Sequence, residues 1–199
     1  MFKIKPNKPA NHKTEEIVNI MKAVSEIRDS YTAEHQQRVA LFSCAIAEEM
    51  SLPENQITGL YIAAQLHDIG KIGIPIKILN KPGKLTDREY NIIKTHTELG
   101  YTMLENINFG YPVAEIVYQH HERIDGSGYP QGLKNESILQ GAKILAVADV
   151  FDAMRTDRPY RPALGVIKIL FELSEYAGTL YEPSVVDACH KVINKKKKH

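Results

Sequence analysis

Apolar residues along this chain recur every three or four positions and almost nowhere in strict alternation. After Thr14 and its two glutamates, Ile17, Ile20, Met21, Val24 and Ile27 keep that period, which predicts a first helix opening at Thr14. A second helix is predicted over Thr32–Met50, and a third from Pro53 through the run "LHDIGKIGIP". The stretch "LTDREY" holds a capping box, Thr86 with Glu89, so another helix starts there. Further helical periods cover Pro112–Glu122, Ser137–Met154, Ala163–Tyr176 and Pro183–Asn194. No internal repeat or low-complexity linker divides the chain. The pattern predicts one all-α domain, a bundle of about eight helices over residues 14–194. Residues 1–13 read as a flexible lead-in and 195–199 as a basic, solvated tail.

Polar residues interrupt the apolar stripes in a consistent way. His35 shares a stripe with Val39, Phe42 and Ile46. Ile57, Leu60, Ala64, His67 and Lys71 fall on one face of the third helix, with Asp68 beside it. Ile93 leads by one turn to His96, and Val113, Ile116 and Val117 lead to His120 and His121. Ile138, Ala142, Leu145 and Asp149 share a fifth face. One histidine on such a stripe is more often a hydrogen-bonded core residue than a ligand. Five histidines and two aspartates converging on one core are different, because unpaired buried polar groups are costly. They suit a mixed nitrogen and oxygen metal site. Seven ligands are too many for one tetrahedral zinc but fit two octahedral ions sharing a carboxylate, with Asp68 as the bridge.

Composition narrows the setting. The chain has 199 residues with a formal net charge of +1, so no field favours a nucleic-acid polymer or a lipid surface. No apolar run is long enough to cross a bilayer, and the first residues lack the apolar centre of a signal peptide. Cys44 and Cys189 stand far apart and outside any CxxC pair, which reads as reduced structural thiols in a cytoplasmic protein.

"HDIGK" at 67–71 and "HHERIDGSGYP" at 120–130 resemble the two signatures of the HD-GYP family, a branch of the HD-domain metal-dependent phosphohydrolases. "KPGKLTDRE", "ILAVADVFDAM" and "DRPYR" resemble the stretches that accompany them, in the expected order from about Tyr31 to Pro183. The resemblance implies an HD-type helical bundle that binds iron, manganese or another first-row divalent metal. It implies hydrolysis of cyclic di-GMP by a metal-bridging hydroxide, to linear pGpG, with GMP left open as a further product. Residue by residue, it makes His35, His67, Asp68, His96, His120, His121 and Asp149 metal ligands. It sets Lys71 against a substrate phosphate, Tyr129 beside the nucleotide, and Arg158 and Arg161 on phosphate or guanine. Some members carry a glutamate one turn before the first histidine and hold three metals. Here that step back from His35 lands on Tyr31, so two metals are expected.

Plainer readings stand beside these. Lys71 could extend from a helix end into solvent. "DGSGYP" is a turn signature whatever its function, and Arg158 and Arg161 flank a helix-ending proline. Asp152, one turn after Asp149, either orients a metal ligand or meets a positively charged group of the substrate. Two other functions stay open: an HD-type phosphohydrolase of another nucleotide, cyclic GMP-AMP included, and a weakly active effector-binding or interaction module. Partners are left as a possible homodimer or signalling proteins.

Overall fold

The computed structural model describes residues 12–28, 30–157 and 162–196. Ten α-helices and two 3-10 turns make up the regular structure of those residues, with no strand among them. The helices are α1 (His12–Arg28), α2 (Ser30–Glu49), α3 (Glu54–Leu66), α4 (Ile76–Leu79), α5 (Asp87–Lys94), α6 (His96–Leu104), α7 (Val113–Gln119), α8 (Gln140–Arg155), α9 (Val166–Glu175) and α10 (Pro183–Lys196).

The all-α expectation holds, and the additional helices come from breaks. The period from Pro53 does not run on through Lys71. Helix α3 stops at Leu66, His67 caps it, and Ile69–Gly73 forms a 3-10 turn. The reason is a close approach: a Cβ on Gly70 would stand 1.9 Å from the His96 carbonyl oxygen and 2.6 Å from the Gly100 nitrogen. Likewise the helix capped by Thr86 ends at Lys94, and His96 begins a new one after Thr95. The capping box itself forms: Thr86 Oγ1 accepts from the Glu89 N–H, and Glu89 Oε2 accepts from the Thr86 N–H at 2.8 Å. Before α8, residues Asn135–Ser137 take the second 3-10 turn, so α8 begins at Gln140 and not at Ser137.

The core lies between α2, α3, α7 and α8. Val39, Ile46, Leu60, Ile116 and Leu145 are fully enclosed, and the Phe42 and Phe151 rings pack with centroids 4.7 Å apart. Such close interdigitation is what fixes helix positions well enough to hold a site. Cys44 and Cys189 are buried without a disulfide, and burial pushes both thiols up to about 12. The basic end is partly structured: Lys195 lies in α10 and its ammonium pairs with Glu49. Residues 1–11 of the expected lead-in and 197–199 of the tail lie outside the described residues. Among the described residues no helix is long and apolar enough to cross a membrane.

Candidate metal centre

Five segments deliver polar side chains to one place, three of them at helix ends and two, those of His35 and Asp149, from within helices. His35 comes from α2, His67 and Asp68 from the break after α3, His96 from the start of α6, His120 and His121 from the end of α7, and Asp149 from α8. Helix breaks aim His67, Asp68, His96, His120 and His121, whereas His35 and Asp149 point inward along continuous helical faces. Three of these histidines are held alike. Nδ1–H of His67 donates to the Ala64 carbonyl at 2.8 Å, that of His96 to Ile93 at 2.7 Å, and that of His120 to Val117 at 2.6 Å. A carbonyl only accepts, so each Nδ1 carries the proton and each Nε2 presents a lone pair to the centre. The Nε2 atoms of His96 and His120 lie 3.4 Å apart. Two lone pairs at that distance repel unless a cation lies between them.

The seven side chains sort into two groups. His35, His67 and Asp149 form one triad, and His96, His120 and His121 another, with donor atoms in each within 4.8 Å of one another. Asp68 stands between them, with Oδ2 3.5 Å from His67 Nε2 and Oδ1 3.6 Å from His96 Nε2. His35 Nε2 is 3.0 Å from Asp149 Oδ1.

Protonation favours ligation. Burial holds His96 below its ordinary value, takes His120 down to about 3 and drives His121 well below. Burial alone would raise Asp68 and Asp149. The Lys71 charge keeps Asp68 ionised, and a hydrogen bond from His35 does the same for Asp149. His35 is the exception: burial lowers it, but Asp149 and Asp152 more than offset this and bring it to about 9. A metal there must displace that proton. Neutral imidazoles and ionised carboxylates at these spacings fit first-row divalent ions.

The surroundings were only partly visible in the sequence. Lys71 Nζ sits 2.6 Å from Asp68 Oδ2 on the partly exposed rim. The Tyr129 ring stacks on His121, centroids 4.8 Å apart. Asp152 stands behind His35: its Oδ2 accepts from His35 Nδ1 at 2.8 Å, and Arg38 donates to its oxygens at 2.9 and 3.0 Å. Asp152 thus contacts a candidate ligand, His35, and the Arg38 guanidinium. Arg158 and Arg161, and the Tyr31 side chain, lie outside the described residues. Sequence reasoning missed Arg38, although its spacing one turn from His35 was a usable signal. It also missed Glu122, which is buried and accepts from the Gln131 and Leu133 N–H groups at 2.7 and 3.0 Å, pinning the loop that carries Tyr129. Gly128 lets that loop lie flat, since a Cβ there would meet the Arg123 nitrogen at 2.4 Å.

The profile of the family described as HD domain matches residues 19–185. The chain belongs to the HD domain family. Over 181 residues this HD domain is 46% identical to a cyclic di-GMP phosphodiesterase of Thermotoga maritima, covering 89% of the chain and 49% of that relative. It is 41% identical to the cyclic di-GMP phosphodiesterase response regulator RpfG of Xanthomonas campestris, covering 92% and 48%. A 3'3'-cGAMP-specific phosphodiesterase 3 of Vibrio cholerae is 34% identical, with 89% and 39% covered. The chain thus spans half or less of the length of these curated relatives. Among solved structures, Bd1817, a HDG"Y"P protein from Bdellovibrio bacteriovorus, superposes with a TM-score of 0.69 at 19% identity, over 90% of this chain and 60% of that one. The HD domain of phosphodiesterase PgpH of L. monocytogenes, solved with cyclic-di-AMP, gives 0.64 at 17% identity, over 88% and 96%. At such identities the likeness is one of fold.

Proposed function

We propose that this HD domain, residues 14–194, hydrolyses a phosphodiester bond of a cyclic dinucleotide, cyclic di-GMP foremost, with linear pGpG as product. The observation that carries the reading is the pair of buried triads flanking Asp68, with every fixed Nε2 turned inward. His35, His67 and Asp149 would hold one divalent ion, His96, His120 and His121 a second, and Asp68 would give one oxygen to each. A nitrogen and carboxylate donor set of this kind favours iron, with manganese next. Two such ions supply Lewis acidity to phosphoryl oxygens and make water acidic enough to attack near neutral pH.

The chain's own residues do the rest. Lys71 stands on the rim, where its ammonium meets a non-bridging phosphate oxygen and stabilises charge that grows during attack. Asp152 and Arg38 keep the His35 ring aligned, and Tyr129 borders the nucleotide from the loop pinned by Glu122. Arg158 and Arg161 would meet phosphate or guanine. Substrate class is supported by the relatives, which are cyclic di-GMP and 3'3'-cGAMP-specific phosphodiesterases.

Metal-loaded protein incubated with cyclic di-GMP, cyclic GMP-AMP and mononucleotide esters tests this reading. Consumption of cyclic di-GMP with release of pGpG is expected. Preference for cyclic GMP-AMP would reassign the substrate. Turnover of mononucleotide esters alone would make the chain a different phosphohydrolase. Binding of a cyclic dinucleotide with no product would make it an effector module.

A further inference from the structure

Lys94 is the last residue of α5, and its ammonium lies over two tyrosine faces, 4.8 Å from the centroid of Tyr90 and 5.3 Å from that of Tyr129. Tyr129 in turn stacks on His121, whose ring lies 4.0 Å from that of His120. A row of side chains therefore runs outward from a candidate metal ligand through Tyr129 and Lys94 to Tyr90, which is 46% exposed. Lys71 and Lys81 each lie 2.6 Å from a carboxylate oxygen, of Asp68 and of Glu89. Lys94 forms no such pair among the described residues. The helix dipole explains a cation at the end of α5, but not its placement between two aromatic rings beside the centre. Aromatic faces hold an ammonium without consuming its N–H donors, which stay available to an anionic acceptor.

We propose that Lys94 and Tyr90 form an outer subsite for the part of the substrate that is not being cleaved. Lys94 binds the second phosphodiester of a cyclic dinucleotide, and Tyr90 offers ring surface to the adjoining purine. The inference rests on the cyclic-dinucleotide reading above. Its chemistry is simple: a cyclic dinucleotide carries two phosphates, and one engaged at the metal centre leaves the other needing a cation further out. A mononucleotide ester or small aryl diester has no group for this subsite, so Lys94 and Tyr90 select for the dinucleotide.

The test compares cyclic di-GMP with bis(4-nitrophenyl) phosphate in the metal-loaded parent and in Lys94→Gln, Lys94→Arg and Tyr90→Ala, with metal content counted for each. The ratio of kcat/KM for the two substrates should fall about ten- to a hundredfold in Lys94→Gln, the loss residing in KM. Lys94→Arg should recover most of the ratio, and Tyr90→Ala should lower it by about tenfold through lost stacking. An unchanged ratio in Lys94→Gln overturns the subsite. A parallel fall for both substrates also overturns it, placing Lys94 in support of the centre through Tyr129 and His121. Equilibrium binding of cyclic di-GMP separates this from the broader reading. A parent that binds but does not hydrolyse it refutes hydrolysis, and weaker binding by Lys94→Gln still upholds the subsite. A parent that neither binds nor hydrolyses it overturns both.

Discussion

Asp152 offers the sharpest test of how the centre is held. It accepts a hydrogen bond from His35 Nδ1 at 2.8 Å and three from Arg38, at 2.9, 3.0 and 3.2 Å. The bond to His35 is fully enclosed and charge-assisted, worth about 1.5–3 kcal/mol. The Arg38 side chain is 32% exposed, so its pair is screened and contributes about 0.5–1 kcal/mol. Asp152→Ala should therefore cost about 2–4 kcal/mol, and a chain of this size loses about 2–4 °C of Tm per kcal/mol. Asp152→Asn keeps the volume and an acceptor for His35, so most of the stability should return. The metal should respond in both variants. A carboxylate behind a ligating histidine contributes about 10- to 100-fold in metal affinity. That loss should fall on the triad of His35, His67 and Asp149 alone, because His96 and His120 are braced by backbone carbonyls instead. Titration with graded chelator, counting ions per chain, should show one ion leaving early and the other leaving as in the parent. Parallel loss of both ions, or no change in either, would refute a brace specific to His35.

Three further outcomes are expected. Asp68→Ala should lose both ions in elemental analysis, since its two oxygens face different triads, and full retention would contradict the bridge. Gly70→Ala should destabilise the fold by about 1–3 kcal/mol, read as a lower urea midpoint, and reduce metal content, because the added methyl must push the turn off the His96 carbonyl. An unaltered midpoint would show that the turn is not packed that tightly. Glu89, bonded to Lys81 and Thr86, is held down from 4.5 to about 2. Its contribution is therefore present above 4.5 and fades as pH falls towards 2. Against Glu89→Gln, the parent should be more stable in urea at pH 7, with the gap closing across that window and shrinking in high salt. A gap unchanged down to pH 2 would exclude the charge as its source.

Much of this molecule was legible in its sequence because helix periodicity is local. The spacing of Val39, Phe42 and Ile46, or of Leu60 and Ala64, records which face turns inward, and the histidines and aspartates that extend those faces must arrive in the same interior. The capping box at Thr86 and Glu89 is a contact between residues three apart, and it formed as written. What local pattern could not hold is where a helix stops for the sake of a distant neighbour. The break at His67 goes with the close approach of Gly70 to the His96 carbonyl, a contact between segments far apart in the chain. The grouping of six candidate ligands into two triads about Asp68, the union of Arg38 with Asp152 across 114 residues, and the seat of Lys94 between Tyr90 and Tyr129 are likewise tertiary. Each depends on the relative placement of packed helices. Side-chain packing in the core decides that placement, and no single stretch of sequence contains it.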